Sequence, residues 1–249
     1  MTIDPLLEPA RRLWETLAAV PVSFASGGDL AAVASPGSKL CPASWVGIVV
    51  LGSAAIVTVP IDRAVEPMRR ALAQIPTESL TVPDAVRSAL PVMEVLGPAT
   101  LAYVSPDEFS PVPAGAIVER LTSGHQDIRE LLKSVAPEEA DRSGMGEIMS
   151  PAFVVREGGR VVAGAGYQAW PEATAHLCVL TAPGQRGRGL ARRVTSAAVA
   201  EALAADLLPQ WRARVSPPES RKVARALGFR EIGGQLSVRL DLDRLTPIG

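Results

Sequence analysis

Four arginines and two glycines share the eight residues Arg186 to Arg193, RGRGLARR. Glycines at this spacing let a backbone approach a ligand closely or adopt positive φ, and Arg186, Arg188, Arg192 and Arg193 raise the local positive potential. Upstream, His176 to Thr181 is uncharged and holds Val179, which reads as a strand, and Pro183-Gly184 reads as a loop. Downstream, Leu190, Val194, Ala198 and Ala202 lie four apart, as on one face of a helix. A helix that starts directly after a glycine loop presents unpaired N–H groups and the positive end of its dipole, which together bind phosphate. The chemistry this order suggests is capture of a pyrophosphate. It is neither a G-x-x-x-x-G-K-[ST] loop nor a G-x-G-x-x-G dinucleotide loop.

Two motifs carry a family resemblance. Arg186-x-x-Gly189-x-Ala191 matches the R/Q-x-x-G-x-G/A signature of the GNAT superfamily of N-acetyltransferases, which holds the pyrophosphate of acetyl-coenzyme A. About 30 residues further on, Ser220 to Phe229, SRKVARALGF, resembles the S-x-x-x-Y/A-x-x-L-G-F helix that packs beside coenzyme A in that superfamily. The resemblance covers residues 116 to 245. It implies an acetyl-coenzyme A-dependent N-acetyltransferase in which a primary amine of a small molecule or protein attacks the thioester directly. Carried over by position, Val179, Leu180 and Thr181 would line the pantetheine arm, with a backbone N–H near Val179 polarising the thioester carbonyl. Arg186, Gly187, Arg188, Gly189, Leu190 and Ala191 would hold the pyrophosphate, and Ser220 and Arg221 would stand beside the cofactor.

The sequence also departs from the family pattern. Many members carry an Asn three residues before the signature serine and a Tyr four after it, where this chain has Pro217 and Ala224. The Tyr is often assigned as the acid that protonates the leaving thiolate, so Ser216 and Tyr167 become the candidate acids, or solvent serves. As general base His176 comes first, because it precedes Arg186 on the same strand and an unperturbed histidine titrates near neutrality. Glu172 and Glu147 follow. The alternative role is a coenzyme A-binding regulatory or scaffold protein with weakened turnover, motivated by Pro217 and Ala224.

Composition bounds these readings. The 249 residues are 47% hydrophobic and 20% charged, as in globular chains, and the net charge of −1 argues against a dedicated nucleic-acid binder. Charge is uneven: residues 1–112 carry 7 Lys/Arg and 11 Asp/Glu, whereas residues 186–230 carry 10 and 3, so positive charge gathers around the proposed phosphate loop. Two cysteines, Cys41 and Cys178, and two histidines leave no disulfide framework and no Cys/His metal site, and a cytoplasmic setting is the simplest. Cys178 reads as a small buried hydrophobe. The uncharged run Leu40 to Ile61 has the length of a membrane span, but Pro42, Pro60 and Gly52-Ser53 break it into two buried strands, so no membrane association is expected.

The positioning elements follow from periodicity. Helices are expected over Leu6 to Ala19, from Asp62, and over Pro83 to Leu90, with strands at Val46 to Val50, Ala54 to Val59 and Thr100 to Val104. The proline-rich Ser105 to Gly115 reads as a linker, giving an α/β domain over 1–112 and a second domain over 113–249. The second domain should hold a strand from Ala116 to Leu121, then a helix capped by Ser123-x-x-Gln126, with His125 a solvated residue of its first turn. A polar mobile segment is expected from Glu138 to Met149. A hairpin follows around Gly158-Gly159, then the phosphate-loop strand and helix, and a strand over Pro209 to Val215. A helix over Pro218 to Leu227 and two closing strands around Gly233-Gly234 complete it. This order describes an α/β (α+β) fold, a mixed, mostly antiparallel GNAT-type sheet flanked by helices, preceded by a smaller α/β domain. That first domain shows no recognisable site. Covering the acceptor, forming a homodimer interface and being a degenerate copy of the second fold are the roles open to it.

Overall fold

A computed structural model describes residues 4–24, 30–113, 117–216 and 218–245. In chain order its elements are α1 (Leu7–Leu17), β1 (Leu30–Ala34), β2 (Val46–Leu51), β3 (Ala54–Val59), α2 (Val65–Leu72), α3 (Pro83–Ala89), β4 (Val92–Tyr103), β5 (Glu119–Leu121), α4 (Gln126–Lys133), α5 (Pro137–Ser143), β6 (Ala152–Glu157), β7 (Arg160–Trp170), β8 (Thr174–Thr181), α6 (Leu190–Ala204), β9 (Leu208–Arg214), α7 (Glu219–Ala226), β10 (Arg230–Leu240) and α8 (Leu242–Leu245). The fold is mixed α/β, its sheet mostly antiparallel and flanked by helices. The chain divides into two compact units, residues 1–101 with 213–218 and 231–249, and residues 102–212 with 219–230.

In the first unit the strand order is β1-β3-β2-β10-β4. The uncharged run that has the length of a membrane span contains the β2–β3 hairpin, whose two strands are buried throughout. Among the described residues no helix is long and apolar enough to cross a membrane. Ile48, Val50, Val57, Met68, Leu72 and Leu236 belong to its core, each side chain of this kind contributing about 1.5–3 kcal/mol on burial. The two strands expected around Gly233-Gly234 are instead one, β10, which pairs antiparallel with β2 from Gly233↔Leu51 to Val238↔Val46. A Cβ on Gly233 would lie 2.0 Å from the Val50 carbonyl oxygen. The glycine therefore permits close approach of two strands rather than a turn.

In the second unit the order is β9-β8-β7-β6-β5, with β8 and β9 parallel and the other described pairs antiparallel. One face packs on α6 through Val194, Ala198, Val199 and Ala202; the other buries Ile128 and Leu131 of α4 against Val154, Cys178 and Leu180. Helix α4 is capped by His125, whose Nδ1 accepts the Asp127 N–H at 3.2 Å, and not by Ser123. The segment expected to be polar and mobile contains α5, opened by Pro137 and closed by Gly144 in the left-handed region (φ 66°). Ala116, the expected start of β5, lies outside the described residues. Part of the proline-rich segment is tied down within this unit. The Val112 N–H donates to Ser196 Oγ on α6 (2.8 Å), and Arg230 pairs with Glu108 (3.0 Å).

Candidate active site

The loop between β8 and α6 has the geometry its sequence predicts. Gly187 and Gly189 take φ of 77° and 76°, values costly for any residue with a Cβ, and nothing stands within 4 Å of where either Cβ would be. Gly189 caps α6 without a side-chain hydrogen bond, so the N–H groups of Leu190, Ala191 and Arg192 open the helix with no intrahelical partner. The arginines are less available than the sequence implies. Arg186 pairs with Glu139 of α5 and donates from Nε to the Thr181 carbonyl (3.3 Å). Arg188 pairs with Glu157 at 2.7 Å, and Arg192 donates to the Ala226 carbonyl at 2.9 Å. These solvent-facing pairs are individually weak, so an incoming phosphate can displace the carboxylates.

Beside the loop a strand edge is open. The Ala182 N–H donates to the Val162 carbonyl, and antiparallel pairing alternates, so even-numbered residues of β8 exchange hydrogen bonds with β7. Odd-numbered residues turn their peptide groups toward β9. The β8–β9 register runs only from Thr174↔Leu208 to His176↔Gln210, after which the strands part. Leu177, Val179 and Thr181 therefore present peptide groups into the opening. Leu180 differs from the expectation: its peptide groups face β7 and its side chain is buried among Ile128, Met145 and Val154. Thr181 Oγ1 is buried without a hydrogen-bond partner. An orphaned hydroxyl, unpaired helix N–H groups and room above two glycines fit an extended ligand carrying a pyrophosphate. Ser220, at the start of α7, accepts the Trp211 indole N–H at 3.0 Å, and Trp211 meets Phe229 edge-on, which seats α7.

His176 sits in a chain of polar contacts. Its ring stacks on Trp170 (centroids 4.1 Å apart, 14° between planes), and its Nδ1 lies 2.8 Å from Gln210 Oε1. The Gln210 Nε2 donates to the Tyr103 hydroxyl at 3.2 Å. On the other side the Trp170 indole N–H donates to Gln168 Oε1 (3.1 Å), and Gln168 Nε2 donates to Glu147 (3.1 Å). Burial lowers the His176 pKa to about 4, the Gln210 hydrogen bond opposing this and nearby Arg212 adding to it. The imidazole is thus neutral at pH 7, one ring nitrogen a donor and the other an acceptor.

That shift has a stability consequence. An unfolded chain protonates this histidine below pH 6.5, while the fold keeps it neutral down to about 4. The unfolded state then binds the extra proton, so the contribution is complete above pH 6.5 and is lost as pH falls toward 4. The loss approaches about 3 kcal/mol. Urea melts at pH 7 and 4.5 should show His176→Gln losing about 2–3 kcal/mol less than wild type between the two pH values. Equal losses would contradict the buried neutral state.

The remaining candidates are dispersed. Tyr167 pairs with Leu177 on β8, one register step from the Gln168↔His176 pair, so it projects from the opposite face of the sheet. Its pKa is raised by burial and then by Glu201 of α6. Glu172 is exposed in the β7–β8 turn with φ of 54°, and Ser216 is exposed in a bend. Pro217 lies outside the described residues, and Ala224 is buried on α7. Burial raises the Cys178 thiol to about 12, which leaves it un-ionised. Glu147 lines a cleft of about 250 Å³ with Leu132, Ala140, Asp141, Gly144 and Gly146. Among the described residues no group of three His, Cys, Asp or Glu side chains is placed to hold a metal.

Residues 144–234 match the family model of the GNAT acetyltransferases. That match lies in the C-terminal part of the chain. Solved structures similar to this chain include a GNAT-family acetyltransferase from Novosphingobium aromaticivorans, with 22% identity over 59% of this chain and 65% of that one (TM-score 0.47). Another from Colwellia psychrerythraea has 13% identity over 66% of this chain and 62% of its own (TM-score 0.47). A GCN5-related N-acetyltransferase from Kribbella flavida has 18% identity over 77% of this chain and 88% of its own (TM-score 0.49). The chain thus spans less than two thirds of the first two relatives. No curated protein matches.

Both signature motifs fall inside the matched residues. Sequence reasoning missed Gln210 and Tyr103. Gln210 had a signal, an uncharged amide in the apolar strand LeuProGlnTrp, since a buried amide needs partners. Nothing around Tyr103 marked its hydroxyl as one of them.

Proposed function

We propose that the C-terminal part of the chain is a GNAT-type domain that transfers an acetyl group from acetyl-coenzyme A to a primary amine. The observation that carries this is the glycine loop at the α6 N-terminus beside the open edge of β8. First-turn N–H groups and Arg186 and Arg188 would hold the pyrophosphate, while Val179 and Thr181 would bond the pantetheine arm. A β8 N–H near Val179 would stabilise the oxyanion. The acceptor ammonium first loses a proton to water, helped by the carboxylates of Asp141 and Glu147 in the adjoining cleft. The neutral amine then attacks the thioester carbon, forming C–N and breaking C–S. One nitrogen proton leaves and the thiolate gains one, so amine and thioester become amide and thiol. Positioning does most of the work, because the nucleophile comes with the substrate.

With Ala224 in place of the common tyrosine, the thiolate takes its proton from water at the open edge or from Ser216. A cytoplasmic setting accords with two free cysteines. Thiol release monitored across a library of amines and amino sugars tests the reading. Acetylated product with at least one class supports it; tight acetyl-coenzyme A binding with no transfer across the library would favour a cofactor-binding regulatory protein instead.

A further inference from the structure

Both loop arginines nearest the glycines are paired with carboxylates that come from elsewhere in the chain. Arg186 is paired with Glu139 of α5, and Arg188 Nη1 lies 2.7 and 2.8 Å from the two carboxylate oxygens of Glu157 at the end of β6. The two carboxylates belong to different elements, so each reaches the loop independently. Each arginine also has an uncharged acceptor: the Thr181 carbonyl for Arg186 Nε (3.3 Å) and Gln185 Oε1 for Arg188 Nη1. The Arg188 hydrogen bond holds the Glu157 carboxyl below its ordinary pKa, so this group is charged at pH 7. Two positive and two negative charges therefore cancel beside the glycines. Glu138, the neighbour of Glu139 in the first turn of α5, makes no such pair among the described residues.

We propose that Glu139 and Glu157 are internal counter-anions, which occupy Arg186 and Arg188 in the empty loop, compete with the phosphates of coenzyme A and hasten departure of the product. The inference rests on the acetyl-transfer reading for the identity of the ligand and on the two carboxylate pairs for the competition. The ligand before transfer is acetyl-coenzyme A and afterwards coenzyme A, and both carry the same pyrophosphate. A loop of bare arginines would hold product as firmly as substrate, whereas turnover requires the product to leave. A carboxylate tethered beside the loop does not have to diffuse in from solution, so it recaptures its arginine whenever a phosphate loosens.

The contrary role is orientation, in which the carboxylates hold the arginines ready and keep them when the phosphate arrives. The two roles differ in sign. Removing a competitor leaves a tighter and more salt-sensitive site, because two uncompensated positive charges then face the ligand. Removing an orienting partner leaves a looser one. The geometry favours competition, since the Thr181 carbonyl and the Gln185 amide oxygen steady the two arginines without help from the carboxylates.

Calorimetric titration of the full chain with coenzyme A, at about 0.05 M and about 0.5 M salt, reads the sign. Glu139→Gln and Glu157→Gln should each tighten binding about threefold at the lower salt, and the double variant about tenfold. At the higher salt the gain should shrink below about twofold. Stopped-flow mixing should show the gain mainly as slower dissociation. Inorganic pyrophosphate should gain by a similar factor, because the same carboxylates must give way to it. Glu138→Gln is the control and should change either affinity by less than about twofold. The Glu139 and Glu157 side chains are 33% and 35% exposed, so the variants should fold, and either single variant suffices if the double does not. Unchanged or weaker binding in the folded variants overturns the competition, as does an equal gain in Glu138→Gln. A gain carried by faster association alone overturns the role in product release. Failure of coenzyme A to bind any form of the protein strikes the cofactor reading, and the pyrophosphate titrations then decide the competition.

Discussion

Gly189→Val is expected to weaken acetyl-coenzyme A binding at least a hundredfold while the protein stays folded. The residue caps α6 at φ 76°, a conformation that costs a β-branched residue about 1–2 kcal/mol. No atom lies within 4 Å of the new Cβ, so the substitution meets open space and not the core. That space lies at the mouth of the first helical turn, where a phosphate would need to approach the N–H groups of Leu190 and Ala191. An isopropyl group there excludes the ligand without disturbing the interior. Calorimetric titration with acetyl-coenzyme A, paired with a thermal melt, reads both halves. The melting temperature should fall by about 2–8 °C. Retained affinity in the folded variant would remove the loop from the binding site and take the central functional assignment with it.

Gly228→Ala should have the opposite signature, a loss of fold. Gly228 stands at φ 92°, and its Cβ would lie 2.0 Å from the Glu108 carbonyl oxygen and 2.9 Å from the carbon. Both atoms belong to backbone that is pinned nearby, since the Ser110 N–H donates to the Leu227 carbonyl (3.0 Å) and Glu108 pairs with Arg230. Neither side can give way cheaply. A destabilisation of about 3–5 kcal/mol is expected, in the range of severe single substitutions. Gly184→Ala is the matched control, with nothing within 4 Å of its Cβ and no positive φ, and should change stability by less than about 0.5 kcal/mol. Urea unfolding of the two variants beside wild type checks the contrast. Equal stabilities would show that the segment around Glu108 yields.

The two glycines illustrate what the sequence could and could not reveal. Gly189 is legible because its role is local: neighbours in the chain supply the strand, the helix and the charge. Gly228 is legible only as part of a motif, since the carbonyl it accommodates comes from a residue 120 positions earlier. The same distinction separates other elements. The Pro137 start and Gly144 stop of α5 are present in the sequence, but the polarity between them suggests a mobile segment. The imidazole of His125 caps α4 in preference to Ser123, a choice made by the turn at Thr122–His125 and not by residue type. Strand β1, LeuAlaAlaValAla, has modest strand propensity and exists through parallel pairing with β3. The opening between β8 and β9 depends on where two strands cease to pair, which no local pattern encodes. The His176 environment was legible as a residue and opaque as a pKa, because burial, Gln210 and Arg212 decide it.

Strand β10 imposes an order in time. The first unit of the fold contains residues 1–101, yet the strand that covers the β2 edge is Arg230–Leu240. Synthesis proceeds from the N-terminus, so nearly the whole chain must leave the ribosome before that sheet can be completed. Until then the β2 edge, carrying Val46, Ile48 and Val50, offers unpaired peptide groups on an apolar strand, the form of surface most prone to pairing with another chain. The second unit, by contrast, has all its residues available by Arg230. The unit that is made first therefore finishes last, and it is during this wait that the nascent protein most needs protection from its own copies.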